Sequence, residues 1–159
     1  MMNDSSSHKD HNHTPEESHN REHSRRATRT IIFQMLYALE SFDYSVSVQD
    51  LASRFNHGFD QAIPLDGEVV HVVASIADQR ETLDIFLIPL FSNWRADRIG
   101  CCTRLILRMA LWEMQTTTTP ATIIINEAIE LAKTFAEKDA HRFINGVLDQ
   151  AIKKLERSY

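Results

Sequence analysis

TIIINEAIELAKTFAEKDAHRFINGVLD, residues 122–149, decides the fold. It reads as two amphipathic helices joined by a short polar turn. Over 122–136, Ile124, Ile125, Ala128, Ile129, Leu131, Ala132 and Phe135 recur at about 100° per residue and make a wide apolar face. Glu127, Glu130, Lys133 and Glu137 line the other side, as on a solvated helix. Asn126 sits at the boundary, placed to hydrogen-bond a neighbouring helix end. Over 139–157 the core stripe is Ala140, Ile144, Val147, Leu148, Ala151 and Leu155. A separate stripe runs Asp139, Arg142, Phe143 and Gly146. A glycine inside a helix costs about 1 kcal/mol against alanine, which points to a close approach to the backbone at Gly146. The stripe has two readings that the residues leave open. One is a surface that stacks and hydrogen-bonds RNA bases. The other is an N-cap, a core aromatic and a helix crossing.

The segments before this pair carry the same helical period. In CCTRLILRMALWEMQ, from Cys101, the inward positions are Cys102, Leu105, Ile106, Met109 and Ala110, with Arg104 and Arg108 beside them, suited to salt bridges with an acidic helix. TTTTP ends that helix, and Pro120 suits the first turn of the next. SNWRADRIG predicts a short helix anchored by Trp94. Before it, Asp66 to about Ile88 reads as one long helix with Val69, Val72, Val73, Ile76, Leu83, Phe86 and Leu87 on its apolar face, ended by Pro89. His71 reads there as a core or boundary histidine. NHGFDQAIPLDG is loop, and Ser47 with Asp50 predicts a capped helix with Val48, Leu51, Ala52 and Phe55 inward. No strand alternation or hairpin signal occurs, so the expected fold is all-α.

The first helix is expected from Ser24, as its N-cap, to about Ser41. Thr28, Ile31, Ile32, Met35, Ala38 and Leu39 form its core face. Arg26, Arg29, Phe33 and Tyr37 form a second stripe, with Arg25 beside it. Three arginines at a helix start oppose the macrodipole. Their planar forks suit phosphate and aromatics can stack bases, so the stripe suits RNA. The same pattern also fits a solvated arginine face with Phe33 and Tyr37 packed on a neighbour.

Residues 1–23 contain no Leu, Ile, Val, Phe, Tyr or Trp and are expected to stay disordered. Five of the eight histidines lie there: His8, His11, His13, His19 and His23. Their irregular spacing reads as a solvated tail rather than a metal site. The domain proper is therefore 24–159. Of the formal charge of −5, the tail holds −3, so the domain is near neutral and net charge does not exclude nucleic acid. Cys101 and Cys102 are adjacent, which argues for reduced small core residues in a cytoplasmic protein rather than a disulfide. With four glycines there is no phosphate-cradling loop, and no metal set or nucleophilic motif occurs, so neither a cofactor nor catalysis is expected.

INEAIELAKTF followed by HRFINGVLD closely resembles the C-terminal signature of the NusB family of transcription antitermination factors. RRATRTIIFQMLYALE resembles that family's arginine-rich first helix, and NWRADRI and LILRMALWEM its central segments. The resemblance runs from about Arg25 to Leu155. It implies a bundle of about seven helices, an N-terminal three-helix part packed on a C-terminal four-helix part. It implies binding of boxA RNA in ribosomal RNA transcripts together with NusE, a ribosomal protein, within the RNA polymerase antitermination complex. Carried over by position, the RNA-binding residues would be Arg25, Arg26, Arg29, Phe135, Asp139, Arg142 and Phe143; Tyr37 matches a family position near the same surface, and Phe33, on its stripe, joins it as a possible RNA or partner surface. Departures are the N-terminal extension, AEKD in place of a glycine-containing turn, and Thr103 where some relatives carry an acidic residue near the RNA. A methyltransferase with a similar helical domain would need a catalytic domain for which no residues remain. A protein-binding adaptor without RNA specificity is the competing reading. Monomer and homodimer both stay open.

Overall fold

The computed structural model describes residues 14–92 and 95–156. Seven α-helices are present among them: α1 Pro15–Ser41, α2 Val48–Gly58, α3 Glu68–Asp78, α4 Arg80–Leu87, α5 Cys101–Thr116, α6 Ala121–Phe135 and α7 Ala140–Glu156. Short 3₁₀ turns cover Ile88–Leu90 and Ala96–Arg98. No strand occurs among the described residues, so the all-α expectation holds. Helices α1, α2 and α3 pack together as one group, and α4 to α7 as another. The α1–α5, α3–α4 and α3–α5 contacts join the two groups.

Helix α5 is the axis. Leu105, Ile106, Leu107, Met109, Ala110 and Leu111 are all buried, so it is covered on every side. Amphipathic reading allowed it only one apolar face, and a helix apolar all round is the mark of a central position. Arg108 lies in the same helix and is 5 % exposed. It is neutralised in place by a two-pronged hydrogen bond to Asp84 on α4, at 2.7 and 2.6 Å. Glu40 of α1 stands 3.5 Å from the same guanidinium and also meets Arg104 at 3.4 Å. The expected salt bridges of Arg104 and Arg108 are thus made, and they tie α1, α4 and α5 together. Because Arg29 pairs with Glu113 while Arg104 pairs with Glu40, α1 and α5 run antiparallel.

Three boundaries differ from the sequence reading. Helix α1 starts at Pro15 and not at Ser24, so Pro15–His23 continue the helix outward; residues 1–13, with His8, His11 and His13, lie outside the described residues. Pro15 at the first helical position, Glu16 and Glu17 in the first turn, and elongation from a formed helix all favour this. The expected 66–88 helix is two helices, broken at Gln79 with φ −95° and ψ 6°. The break lets Val70, Val73, Ile76 and Ala77 face the first group while Leu83 and Leu87 turn to the second. The Arg80 guanidinium donates to the Ala77 carbonyl at 2.7 Å, meeting an acceptor left open at the end of α3. Among the described residues of the expected helix at 92–100 there is a 3₁₀ turn at Ala96–Arg98 and no α-helix; Trp94 lies outside the described residues.

The expected cap on α2 is present. The Ser47 side chain caps α2, accepting from the Asp50 backbone N–H at 3.1 Å. The loop expected from Asn56 begins only after Gly58, where α2 ends; the Asn56 amide orders it by bracketing Ile63, donating to its carbonyl at 2.9 Å and accepting from its N–H at 2.8 Å. His71, by contrast, is exposed on α3 rather than at a core boundary.

Candidate nucleic-acid interface

Two cavities lie at opposite ends of α6. The first, about 310 Å³, is lined by Arg25, Arg26 and Arg29 of α1, by Ile123, Asn126 and Glu127 of α6, and by His19. The second, about 440 Å³, is lined by Arg98, Ile99, Thr103, Glu137, Lys138, Asp139, Ala140, Arg142 and Phe143. Helices α1 and α6 run parallel, because Arg26 reaches Glu127 and, two turns on, Phe33 stacks on Phe135. Glu127 to Phe135 is about 12 Å of helix at 1.5 Å per residue.

The arginines of α1 are not alike. Arg25 is exposed. Arg26 donates through Nε and Nη2 to both oxygens of Glu127, at 3.2 and 3.0 Å. Arg29 makes the same fork to Glu113, at 3.2 and 2.5 Å, with both side chains mostly buried. A bidentate fork fixes the guanidinium plane and leaves three of the five N–H donors of Arg29 outside it. The helix macrodipole does not oppose these arginines. With α1 beginning at Pro15, Arg25 lies beyond the second turn, where the macrodipole has faded.

Phe33 is a correction: it is 2 % exposed and belongs to the core, so it presents no surface to RNA or a partner. Its ring supports Phe135 from beneath, with centroids 4.7 Å apart and planes at 30°. Helix α1 is broader on its apolar side than its stripe suggested, and Phe33 and Leu36 complete that side. Tyr37 is 46 % exposed and tilts against Phe33 at 6.4 Å. Phe135 is half-buried and does not line the second cavity.

The α6–α7 turn brings Asp139, Arg142 and Phe143 together as the sequence stripe proposed. Asp139 is exposed at φ 66°, a left-handed conformation that costs free energy for a residue with a Cβ. Its carbonyl accepts from the Arg142 N–H at 3.1 Å, starting α7. Phe143 is half-buried against Phe91, centroids 5.4 Å apart, and also lines the cavity. Gly146 is exposed, and a Cβ added there would meet nothing within 4 Å. No part of the described chain therefore makes the close approach expected at that glycine. Asn126 likewise is exposed at the rim of the first cavity instead of capping a helix.

Sequence reasoning passed over Glu137 and Arg98. Glu137 was placed on a solvated helix face, but α6 ends at Phe135 and the carboxylate folds back onto α5. Its Oε1 accepts from the buried Thr103 hydroxyl at 3.1 Å. Helical periodicity stops at Phe135, so no signal in the pattern placed Glu137 or Arg98 beside Arg142. Cys101 and Cys102 are half-buried at the start of α5, and burial pushes both thiols up. No group of three or more His, Cys, Asp or Glu among the described residues could hold a metal ion, and no described helix is long and apolar enough to cross a membrane.

Six cationic side chains line the two cavities, Arg25, Arg26, Arg29, Arg98, Lys138 and Arg142. Carboxylates from Glu127, Glu137 and Asp139 are interleaved with them. Such a mixture suits a polyanion whose bases also offer hydrogen-bond donors. The NusB family model matches residues 26–153. The chain is 37 % identical over 132 residues to the transcription antitermination protein NusB of Staphylococcus aureus strain bovine RF122 / ET3-1, covering 82 % of this chain and 99 % of that protein. The protein of the same name from strain JH9 matches to the same extent. With most of its length matched, and with the all-helical fold and the α6–α7 pair in place, the chain belongs to the NusB family.

Proposed function

We propose that this protein is a non-catalytic, cytoplasmic transcription antitermination factor that binds boxA RNA of ribosomal RNA transcripts together with NusE and joins the RNA polymerase antitermination complex. One observation carries the RNA reading. The arginine-lined cavity at the start of α6 and the Asp139–Arg142–Phe143 cavity at its end are bridged by the α1–α6 pair. Arg25, Arg26 and Arg29 meet phosphates and set affinity, with Arg26 and Arg29 held in orientation by Glu127 and Glu113. Asp139 accepts from a base edge, Arg142 closes on the backbone, and Phe143 and the Phe33-backed Phe135 supply the apolar faces for bases.

Fluorescence anisotropy with a boxA ribo-oligonucleotide and a scrambled control, with and without NusE, tests the reading. Preference for boxA, enhanced by NusE and weakened by salt, is expected. Equal binding of both oligonucleotides, or NusE binding without any RNA binding, would favour the helical protein-binding adaptor.

A further inference from the structure

The carboxylate of Glu137 occupies a place built for it. Gly100 precedes α5, and a Cβ added there would come within 2.7 Å of both Glu137 oxygens. The glycine therefore lets the carboxylate lie directly on the backbone. Thr103, in the first turn of α5 and 2 % exposed, donates its hydroxyl to Oε1. Glu137 is nonetheless an exposed residue and lines the same cavity as Asp139, Arg142 and Phe143. An ionised carboxylate has about four acceptor sites, and Thr103 uses one. The group is thus fixed in direction and has acceptor capacity left over.

We infer that Glu137 is a specificity-determining residue, a second carboxylate beside Asp139 that accepts from the amino edge of one unpaired adenine or cytosine of the bound RNA. The inference rests on the RNA-binding reading above. A fixed acceptor discriminates, because the exchange of an amino group for a carbonyl sets two acceptors against each other. Arg98 and Arg142, on the walls of the same cavity, supply the positive charge that offsets the two carboxylates beside a phosphate-bearing strand. Phe143 supplies the apolar wall for the base.

The test uses boxA ribo-oligonucleotides in which each adenosine is exchanged in turn for inosine and each cytidine for uridine. The unaltered chain should lose about tenfold in affinity, or more, at one position assigned to Glu137. Glu137→Gln keeps the shape and the acceptor for Thr103, and its amide can turn a donor to the carbonyl base. It should erase the discrimination at that position alone, with an unchanged melting temperature. Gly100→Ala displaces the carboxylate without altering it and should relax the same position. If Glu137→Gln lowers affinity for every oligonucleotide equally and keeps the discrimination, Glu137 only holds the turn and the inference fails. If the unaltered chain binds none of the oligonucleotides, the RNA reading fails with it.

Discussion

Arg25 and Arg29 stand one turn apart on α1 and meet different surroundings. The fork of Arg29 is closed on Glu113, and both side chains are largely withdrawn from water. Removing the guanidinium leaves a carboxylate shielded without its partner, so Arg29→Ala should cost about 1–3 kcal/mol in urea unfolding. Arg25 is exposed, and Arg25→Ala should leave the unfolding midpoint in place. It should instead weaken RNA binding across sequences and reduce the slope of log affinity against log salt by about one. The two outcomes together separate an arginine that meets RNA directly from one that is also part of the scaffold. From the sequence the three α1 arginines were equivalent, because their partners Glu113 and Glu127 lie 84 and 101 residues away along the chain. Glu137 was misplaced for a related reason: the fold-back onto Gly100 and Thr103 is a tertiary contact with no local pattern.

Among the elements, α6 and α7 were legible almost residue by residue. Ile124, Ala128, Leu131 and Ala132, then Ala140, Ile144, Val147, Leu148 and Ala151, are buried as their spacing required. A helix packed on one side announces itself through its period. The α3–α4 break was not legible, since Gln79 is neither proline nor glycine and Ile76 and Leu83 keep helical register across the polar run Asp78–Thr82. What divides the segment is that its two halves serve different neighbours, a fact about topology. Gly146 of α7 is expected from the sequence to mark a close approach, by RNA or by a crossing helix, and no described helix crosses it. With open space around its Cβ position, Gly146→Ala should raise stability by up to about 1 kcal/mol, measured by denaturant unfolding. A drop in RNA affinity in that stabilised variant would show that the bare backbone serves the ligand.

At the scale of the molecule, the two helical groups are fastened by a polar knot around Glu40. Its carboxylate accepts from Tyr44 Oη at 2.5 Å and faces Arg104 and Arg108, while Arg80 lies over the Tyr44 ring at 4.1 Å. Burial, then the hydrogen bond to Glu40, pushes the Tyr44 phenol up to about 12. The raised value means the fold favours the protonated phenol. Its contribution is complete below the unfolded value near 10 and is lost as pH rises from there through about 12. Alkaline unfolding should therefore steepen in that window, and Tyr44→Phe should flatten it. The knot fixes how α1 lies along α5, and the α1–α6 pairing then sets the arginine cavity at one end of α6 and the carboxylate–aromatic cavity at the other. The most direct test of this arrangement is an amide chemical-shift map of the ¹⁵N-labelled protein titrated with boxA RNA. Coordinated shifts are expected at Arg25, Arg26 and Arg29 and at Glu137, Asp139, Arg142 and Phe143, with the outer face of α4 around Ile85 unmoved. Shifts centred on α4, or confined to only one of the two cavities, would contradict this arrangement.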